Sequence, residues 1–107
     1  GGRGAYCGMD VGGTDIKLAA ALDGRLLAVK EYDWNPAASP TADGITEPMI
    51  MLARLMRACV IADSLPKDHG AQAMLADALR KDADDEAIRA AISACEDAAG
   101  RCSTGWV

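Results

Sequence analysis

An acid, two glycines and a threonine stand close together near the start of the chain, as Asp10, Gly12, Gly13 and Thr14. Glycine has no Cβ, so an anionic oxygen can approach the backbone N–H groups of such a turn closely. Thr14 can donate its hydroxyl to the same anion, and Asp10 can hold Mg²⁺ directly or through water. These residue types at this spacing indicate a phosphate-binding turn with a magnesium ion beside it.

The same two glycines also suit a purely structural turn. A tight primed hairpin turn needs positive φ at both central residues, which Gly12 and Gly13 adopt without steric penalty. An Asp at the end of a strand, such as Asp10, is often only a turn residue. The glycines alone therefore leave the phosphate-binding and the structural interpretation open.

Two strands must hold this turn in place. The apolar run Tyr6 to Val11 predicts a buried strand, and Ile16 to Leu22 predicts the next. Asp23-Gly24 then predicts a second tight turn, and Arg25 to Asp33 a third strand. The sequence therefore predicts a three-stranded antiparallel meander.

Charged residues in the third strand indicate that it lies on the outside of the sheet. Lys30, Glu31 and Asp33 alternate with apolar residues, and we expect them to keep an edge soluble. The following segment from Trp34 to Gly44 contains two prolines and small polar residues, which predicts a loop.

About three helices should follow the sheet. Thr46-Glu47-Pro48 predicts a helix start, with Thr46 as the capping residue and a wide apolar face up to Ala62. Ala71 to Lys81 predicts a second helix, and a third begins near Asp82 to Asp85. Gly100 is typical of a helix C-terminus, and His69 is interpreted as a loop residue.

The third helix carries a narrow apolar stripe with three- and four-residue spacing. Its members are Ile88, Ala91, Ile92, Cys95 and Ala99. Two helices with slender apolar faces predict a helical hairpin packed on the rest of the domain.

The string from Asp10 to Lys17 resembles the first phosphate motif of the actin–hexokinase–chaperone ATPase superfamily, and most closely that of the ROK family of bacterial sugar kinases and repressors. The resemblance implies an α/β fold of ribonuclease H-like type, here a partial actin-like ATPase lobe. It also implies ATP and Mg²⁺ as cofactors, held by Asp10, Gly12, Gly13, Thr14 and Lys17, with Asp10 as the metal ligand. Asp15 departs from the Lys or Asn frequent in the family, and we expect it to pair with Lys17.

The resemblance further implies an N-terminal fragment of an ATP-dependent sugar kinase that is inactive alone. The family's catalytic aspartate, second phosphate loop and adenosine loop have no counterpart after Thr46. Trp34 and Asn35 would line the sugar pocket of the parent protein, unless Trp34 only caps the core. Two alternatives stay open: a non-catalytic ROK-like sugar-sensing regulator, and a helical interaction module whose Gly-Gly turn is purely structural.

The expected organisation has three parts. Residues 1–5 form a disordered end or expression remnant, residues 6–64 the partial nucleotide-binding lobe, and residues 65–107 a helical hairpin and tail. We expect no convincing fourth strand between Gly100 and Val107. Because the superfamily's first strand normally lies in the middle of the sheet, Tyr6 to Val11 should then be an open edge, and we expect a homodimer that covers it.

The composition limits the classes of partner and metal that we expect for this chain. The net charge is −5 and no Lys/Arg cluster exists, so we expect no nucleic-acid partner. We expect no membrane segment and a cytoplasmic location, because no long apolar run or signal peptide is visible. The cysteines form no Cys-x-x-Cys pair and there is one histidine, so zinc is not expected. Cys7, Cys59 and Cys95 are interpreted as small buried hydrophobic residues.

Overall fold

The fold was obtained as a computed structural model that describes the backbone of residues 3–104 and the side chains of residues 3–100. Three strands come first: β1 (Ala5–Val11), β2 (Asp15–Leu22) and β3 (Arg25–Asp33). A short 3₁₀ turn (Pro36–Ala38) leads to α1 (Asp43–Asp63), α2 (Gly70–Ala78) and α3 (Asp85–Thr104). The predicted α/β fold, an antiparallel meander followed by three helices, is confirmed; its ribonuclease H-like assignment stays a prediction.

The strands form one antiparallel sheet in the order β1-β2-β3. The β2–β3 turn is the two-residue primed type expected for Asp23-Gly24, with φ of 52° and 80°. The β2–β3 register shifts next to Ala20, which leaves Leu27 as the extra residue of a bulge. The β3 bounds agree with the prediction from Arg25 to Asp33.

One face of the sheet carries the core, because alternate residues of β2 point towards α1. Ile16, Leu18 and Ala20 are all buried, and they join one apolar cluster with residues from all three helices. The cluster joins the predicted parts 6–64 and 65–107 in a single core.

The first strand is far more exposed than its apolar sequence predicts. Tyr6 is 55% exposed and Val11 46%, and Cys7, expected to be buried, is also exposed. The buried assignment of Tyr6 to Val11 was wrong because β1 lies at the edge of the three-stranded sheet, and the open edge expected for this strand is confirmed among the described residues. Cys59 and Cys95 are buried as expected, and burial raises the pKa of the Cys59 thiol to about 12.

Helix α1 starts before the predicted cap. It begins at Asp43, and the Thr46 hydroxyl donates to the Ala42 carbonyl inside the first turns instead of capping the N-terminus. Pro48 lies within the helix at its sixth position. The wide apolar face is confirmed. Its buried members are Met51, Leu52, Leu55, Met56, Ala58, Cys59 and Ala62.

The predicted helical hairpin is formed by α2 and α3. His69 is more than a loop residue, because its Nδ1 accepts a hydrogen bond from the Ala71 N–H (3.0 Å) and caps α2. Gly100 does not end α3, since the helix continues to Thr104. The stripe is confirmed at four of its five positions, Ile88, Ala91, Ile92 and Cys95, whereas Ala98 is buried more deeply than Ala99.

Two side chains of β3 form hydrogen bonds with residues between the end of α2 and the start of α3. Lys30, predicted to lie in solvent, is buried and donates from Nζ to the Arg80 carbonyl. Burial lowers the pKa of Lys30, and this effect is larger than the opposite effect of the nearby carboxylates of Asp82, Asp33 and Asp85. The Tyr32 hydroxyl donates to Asp85 Oδ1 at 2.9 Å. The prediction for Lys30 failed because the α2–α3 connection covers this face of β3.

Two predictions concern the chain ends. Ala5 belongs to β1, and the Gly4 N–H donates to Asp23 Oδ1 at 2.8 Å, so the disordered end does not extend through residue 5. Residues 1 and 2 and the tail 105–107 lie outside the described residues, so the N-terminal remnant and the lack of a fourth strand in that tail stay predictions. No helix in the described part of the chain is long and apolar enough to cross a bilayer.

Candidate functional site

The turn between β1 and β2 is closed by one backbone hydrogen bond. The Gly12 N–H donates to the Asp15 carbonyl at 2.9 Å, and the chain reverses through Gly13 and Thr14. Neither Gly12 nor Gly13 has positive φ, since Gly4 and Gly24 are the glycines with positive φ in the described part of the chain. The primed turn predicted for Gly12-Gly13 is therefore wrong. The positive φ values that a primed turn requires occur at Asp23 and Gly24 instead.

Gly12 is needed for a close approach, not for its φ. A Cβ at this position would lie 3.2 Å from the Asp15 carbonyl oxygen and 3.4 Å from Asp15 Oδ1. A Cβ at Gly13 would meet nothing within 4 Å, so the tip of the turn faces open space. The two glycines thus differ: Gly12 permits the chain reversal, and Gly13 leaves its backbone accessible.

Trp34 hydrogen-bonds to two carbonyl groups of the turn. Its indole Nε1–H donates to the Gly12 carbonyl at 2.8 Å, and its backbone N–H donates to the Thr14 carbonyl at 3.1 Å. The half-buried ring also packs against the core. Asn35 next to it is exposed and makes no capping hydrogen bond with its side chain. The structure therefore gives Trp34 a supporting role in the turn, and a sugar contact of Trp34 or Asn35 stays a prediction.

Several hydrogen-bond donors at the tip have no protein acceptor. Within the part of the chain that the structure describes, the N–H groups of Gly13 and Thr14 and the Thr14 hydroxyl make no hydrogen bond to protein. All of them belong to exposed residues. Trp34 occupies the carbonyls of Gly12 and Thr14. Three donors and one backbone acceptor, the Gly13 carbonyl, are then left at the tip among the described residues, and this excess of donors favours an anion.

Asp10 and Lys17 face each other across the strands beside this tip. They are register partners, so their side chains project from the same, helix-free face of the sheet. Lys17 Nζ lies 4.0 Å from Asp15 Oδ2, as the predicted pairing of these two residues requires. The Asp10 carboxylate is exposed and has no ion pair among the described residues. The structure thus brings Asp10, Gly12, Gly13, Thr14 and Lys17 together at one corner.

Carboxylates outnumber ammonium groups at this corner. The register places Asp10, Lys17 and Glu31 in one row, and Asp15 and Asp33 in the next. Lys81 pairs with Glu31 at 3.1 Å. A bare anion at the tip would therefore be repelled, and an anion that brings a divalent cation would be repelled less.

The acids do not by themselves form a metal site. No group of three or more His, Cys, Asp or Glu side chains in the described residues is placed to hold a metal ion. Mg²⁺ is commonly held by one or two carboxylates together with substrate phosphates and water. The single carboxylate of Asp10 beside free N–H donors fits this mode of binding. It does not fit a site in which protein side chains supply all the metal ligands.

An apolar cavity lies away from this turn. A groove of about 560 Å³ runs between the first half of β3 and α2, at the opposite end of β2 from the turn. Its floor is apolar, with Cys59, Leu75 and Leu79, and Arg25 and Asp63 form an ion pair of 3.0 Å at its rim. None of the residues predicted to bind a ligand lines it. Sequence reasoning missed this groove because bulges and helix separations leave no local pattern.

Comparison of the chain with family models, with curated proteins and with solved structures finds no match.

Proposed function

We propose that the β1–β2 turn binds the phosphates of a magnesium-bound nucleotide, with ATP as the nucleotide. The observation that carries this proposal is the set of unpartnered donors at a fixed tip: the N–H groups of Gly13 and Thr14 and the Thr14 hydroxyl. Asp10 holds the Mg²⁺ ion directly or through water. Trp34 keeps the donors aligned by anchoring the carbonyls of the turn.

The role of the metal follows from the charge at the corner. Asp10 and Asp15 flank the tip, and Lys17 is turned towards Asp15 at 4.0 Å. Free ATP, a polyanion, binds poorly to such a surface, and Mg²⁺ offsets part of its charge. The proposal therefore makes binding dependent on the metal, unlike a site built from lysine and arginine.

In the larger setting, the chain is the N-terminal part of a ROK-like ATP-dependent sugar kinase. The support is the resemblance of the string from Asp10 to Lys17, together with a meander that presents this string at a hairpin tip. Phosphoryl transfer needs a phosphate clamp, a metal and a base for the attacking hydroxyl. The turn and Asp10 supply the clamp and a ligand for the metal but no base, so the chain alone binds nucleotide weakly and does not turn over, while the parent protein phosphorylates a sugar.

A purely structural turn is the second candidate, and one observation favours it. The hydrogen bonds from Trp34 to Gly12 and Thr14 explain the turn as a closure of the β1–β2–β3 corner without any ligand. In that case the helical layer would be the functional part of the molecule, as an interaction module. Nucleotide binding separates the two candidates.

Equilibrium binding of ATP, measured by calorimetry with and without Mg²⁺, tests the proposal. We expect a dissociation constant on the order of 0.1–1 mM with Mg²⁺, because few contacts must offset the lost freedom of the ligand. Asp10→Asn should weaken binding about tenfold or more, by removing the metal ligand. Asp97→Asn, an exposed acid on α3, is the matched control and should bind like the unaltered protein. Equal affinity in the two variants would contradict the proposal.

A further inference from the structure

The backbone groups on the open edge of β1 can be identified from two hydrogen bonds. Gly12 N–H donates to the Asp15 carbonyl, and Asp23 N–H donates to the Gly4 carbonyl, so both ends of the β1–β2 ladder are hydrogen-bonded pairs. Bonded and non-bonded pairs alternate along an antiparallel ladder. The residues whose N–H and C=O groups point away from β2 are therefore Ala5, Cys7, Met9 and Val11.

This edge lacks the features that normally prevent strand pairing. β1 contains no proline, lysine or bulge, and it runs for seven residues with a single charge, at Asp10. Tyr6, Cys7 and Val11 are exposed, so the helices do not cover it. Gly8 lies at its centre, where a Cβ would meet nothing within 4 Å.

We infer that a second copy of this chain pairs with this edge, antiparallel, about a twofold axis that passes through Gly8. In this register Cys7 lies opposite Met9 of the second copy, and Ala5 lies opposite Val11. All four edge residues of each copy then form hydrogen-bonded pairs, about eight bonds in total. A shift of two residues in either direction leaves Val11 or Ala5 without a partner in the strand.

Charge favours the same arrangement. With Gly8 on the axis, Asp10 lies opposite Tyr6 of the second copy, and the two Asp10 residues are separated by four residues along the strands, about 13 Å. That distance exceeds the screening length of about 8 Å at physiological ionic strength. A parallel pairing in register would put the two carboxylates side by side, which is destabilising.

The strand is thus complementary to itself, which favours a second copy over an unrelated chain. Each hydrogen-bonded pair joins two apolar side chains, and the only non-bonded pair on the axis joins two glycines. The product is a six-stranded sheet in which the Gly13 tips lie beyond the ends of the shared strands. This inference does not rest on nucleotide binding.

Sedimentation velocity of the full chain at micromolar concentration is the first test. We expect a dimer that dissociates on dilution and does not require ATP. A monomer throughout the micromolar range would overturn the inference.

Disulfide trapping tests the register. In a Cys7→Ser, Cys102→Ser background, Gly8→Cys puts two thiols in a non-bonded pair on the axis, within the reach of a disulfide. Oxidised glutathione serves as the oxidant and takes up the two electrons and two protons. The fraction of disulfide-linked dimer should be on the order of tenfold higher for Gly8→Cys than for Tyr6→Cys, because the two Tyr6→Cys thiols would be about 13 Å apart. Circular dichroism checks that both variants fold. Preferential linking of Tyr6→Cys, or equal linking of both, would overturn the register.

Discussion

At the scale of single residues, the functional proposal depends on two glycines with different tasks. Gly12 allows the chain to pass close to Asp15, and Gly13 keeps the donors of the tip open to solvent. The sequence predicted both residues as members of the site but gave them the same role. Only the folded backbone distinguishes them, because the space around each Cα depends on how the chain reverses and not on the residue type.

Alanine substitutions should separate these tasks. Gly12→Ala places a Cβ 3.2 Å from the Asp15 carbonyl oxygen, and we expect it to lower the free energy of unfolding by about 1 kcal/mol or more. Gly13→Ala meets no neighbour at a φ that alanine tolerates, so its stability should be unchanged or higher by about 0.5 kcal/mol. Urea denaturation measures both. A larger loss for Gly13→Ala than for Gly12→Ala would show that the turn geometry is wrong.

Tyr32 gives a pH-dependent test of the contact between β3 and α3. Burial, followed by its hydrogen bond to Asp85, raises the pKa of Tyr32 from 10.0 to about 12. Because the folded value lies above the unfolded one, the stabilisation is complete below pH 10 and is lost as pH rises towards 12. Tyr32→Phe should therefore cost about 1 kcal/mol at neutral pH and progressively less above pH 10.

The measurement is the difference in urea denaturation between Tyr32→Phe and the unaltered protein at a series of pH values. Lys30 titrates in both proteins, so its contribution cancels in the difference. A difference that stays constant through the alkaline range would contradict the burial of the Tyr32 hydroxyl and its hydrogen bond to Asp85.

At the scale of elements, the strands were predictable and the helix ends were not. The pattern of β3 and the Asp23-Gly24 turn are local signals, and the structure follows both. The start of α1 and the end of α3 depend on tertiary packing, which outweighs the weak preferences of Thr46 and Gly100 at helix ends. The burial of Lys30 was also unpredictable, since it requires the distant Arg80 carbonyl.

Helix α1 is the element that joins the sheet to the helical hairpin. Leu55 is fully buried between them, so Leu55→Ala should lower the free energy of unfolding by about 2–5 kcal/mol through lost packing and a cavity. Ile50 on the same helix is 56% exposed, and Ile50→Ala should cost less than about 1 kcal/mol. Thermal and urea denaturation compare the two. Similar losses would contradict the placement of α1 on the sheet.

At the scale of the whole molecule, the two proposed activities use different surfaces. Among the described residues, the free donors and Asp10 lie at the hairpin tip and the unpaired backbone groups lie along β1. The apolar groove of about 560 Å³ lies between β3 and α2. The meander was predictable from local sequence, and so was the membership of the candidate site. The groove and the direction of the edge groups were not, because both depend on how separate elements pack.

The location of bound nucleotide is the most direct test of the phosphate-binding turn. In ¹H–¹⁵N spectra recorded during titration with MgATP, we expect the largest shifts at the amides of Gly13 and Thr14, with smaller shifts at Lys17 and the Trp34 indole. Gln72 and Leu79 in the groove should not move. Asp10→Asn should strongly reduce the shifts at the turn at the same MgATP concentration. Shifts confined to the groove, or none at saturating MgATP, would contradict the claim that this turn binds phosphate.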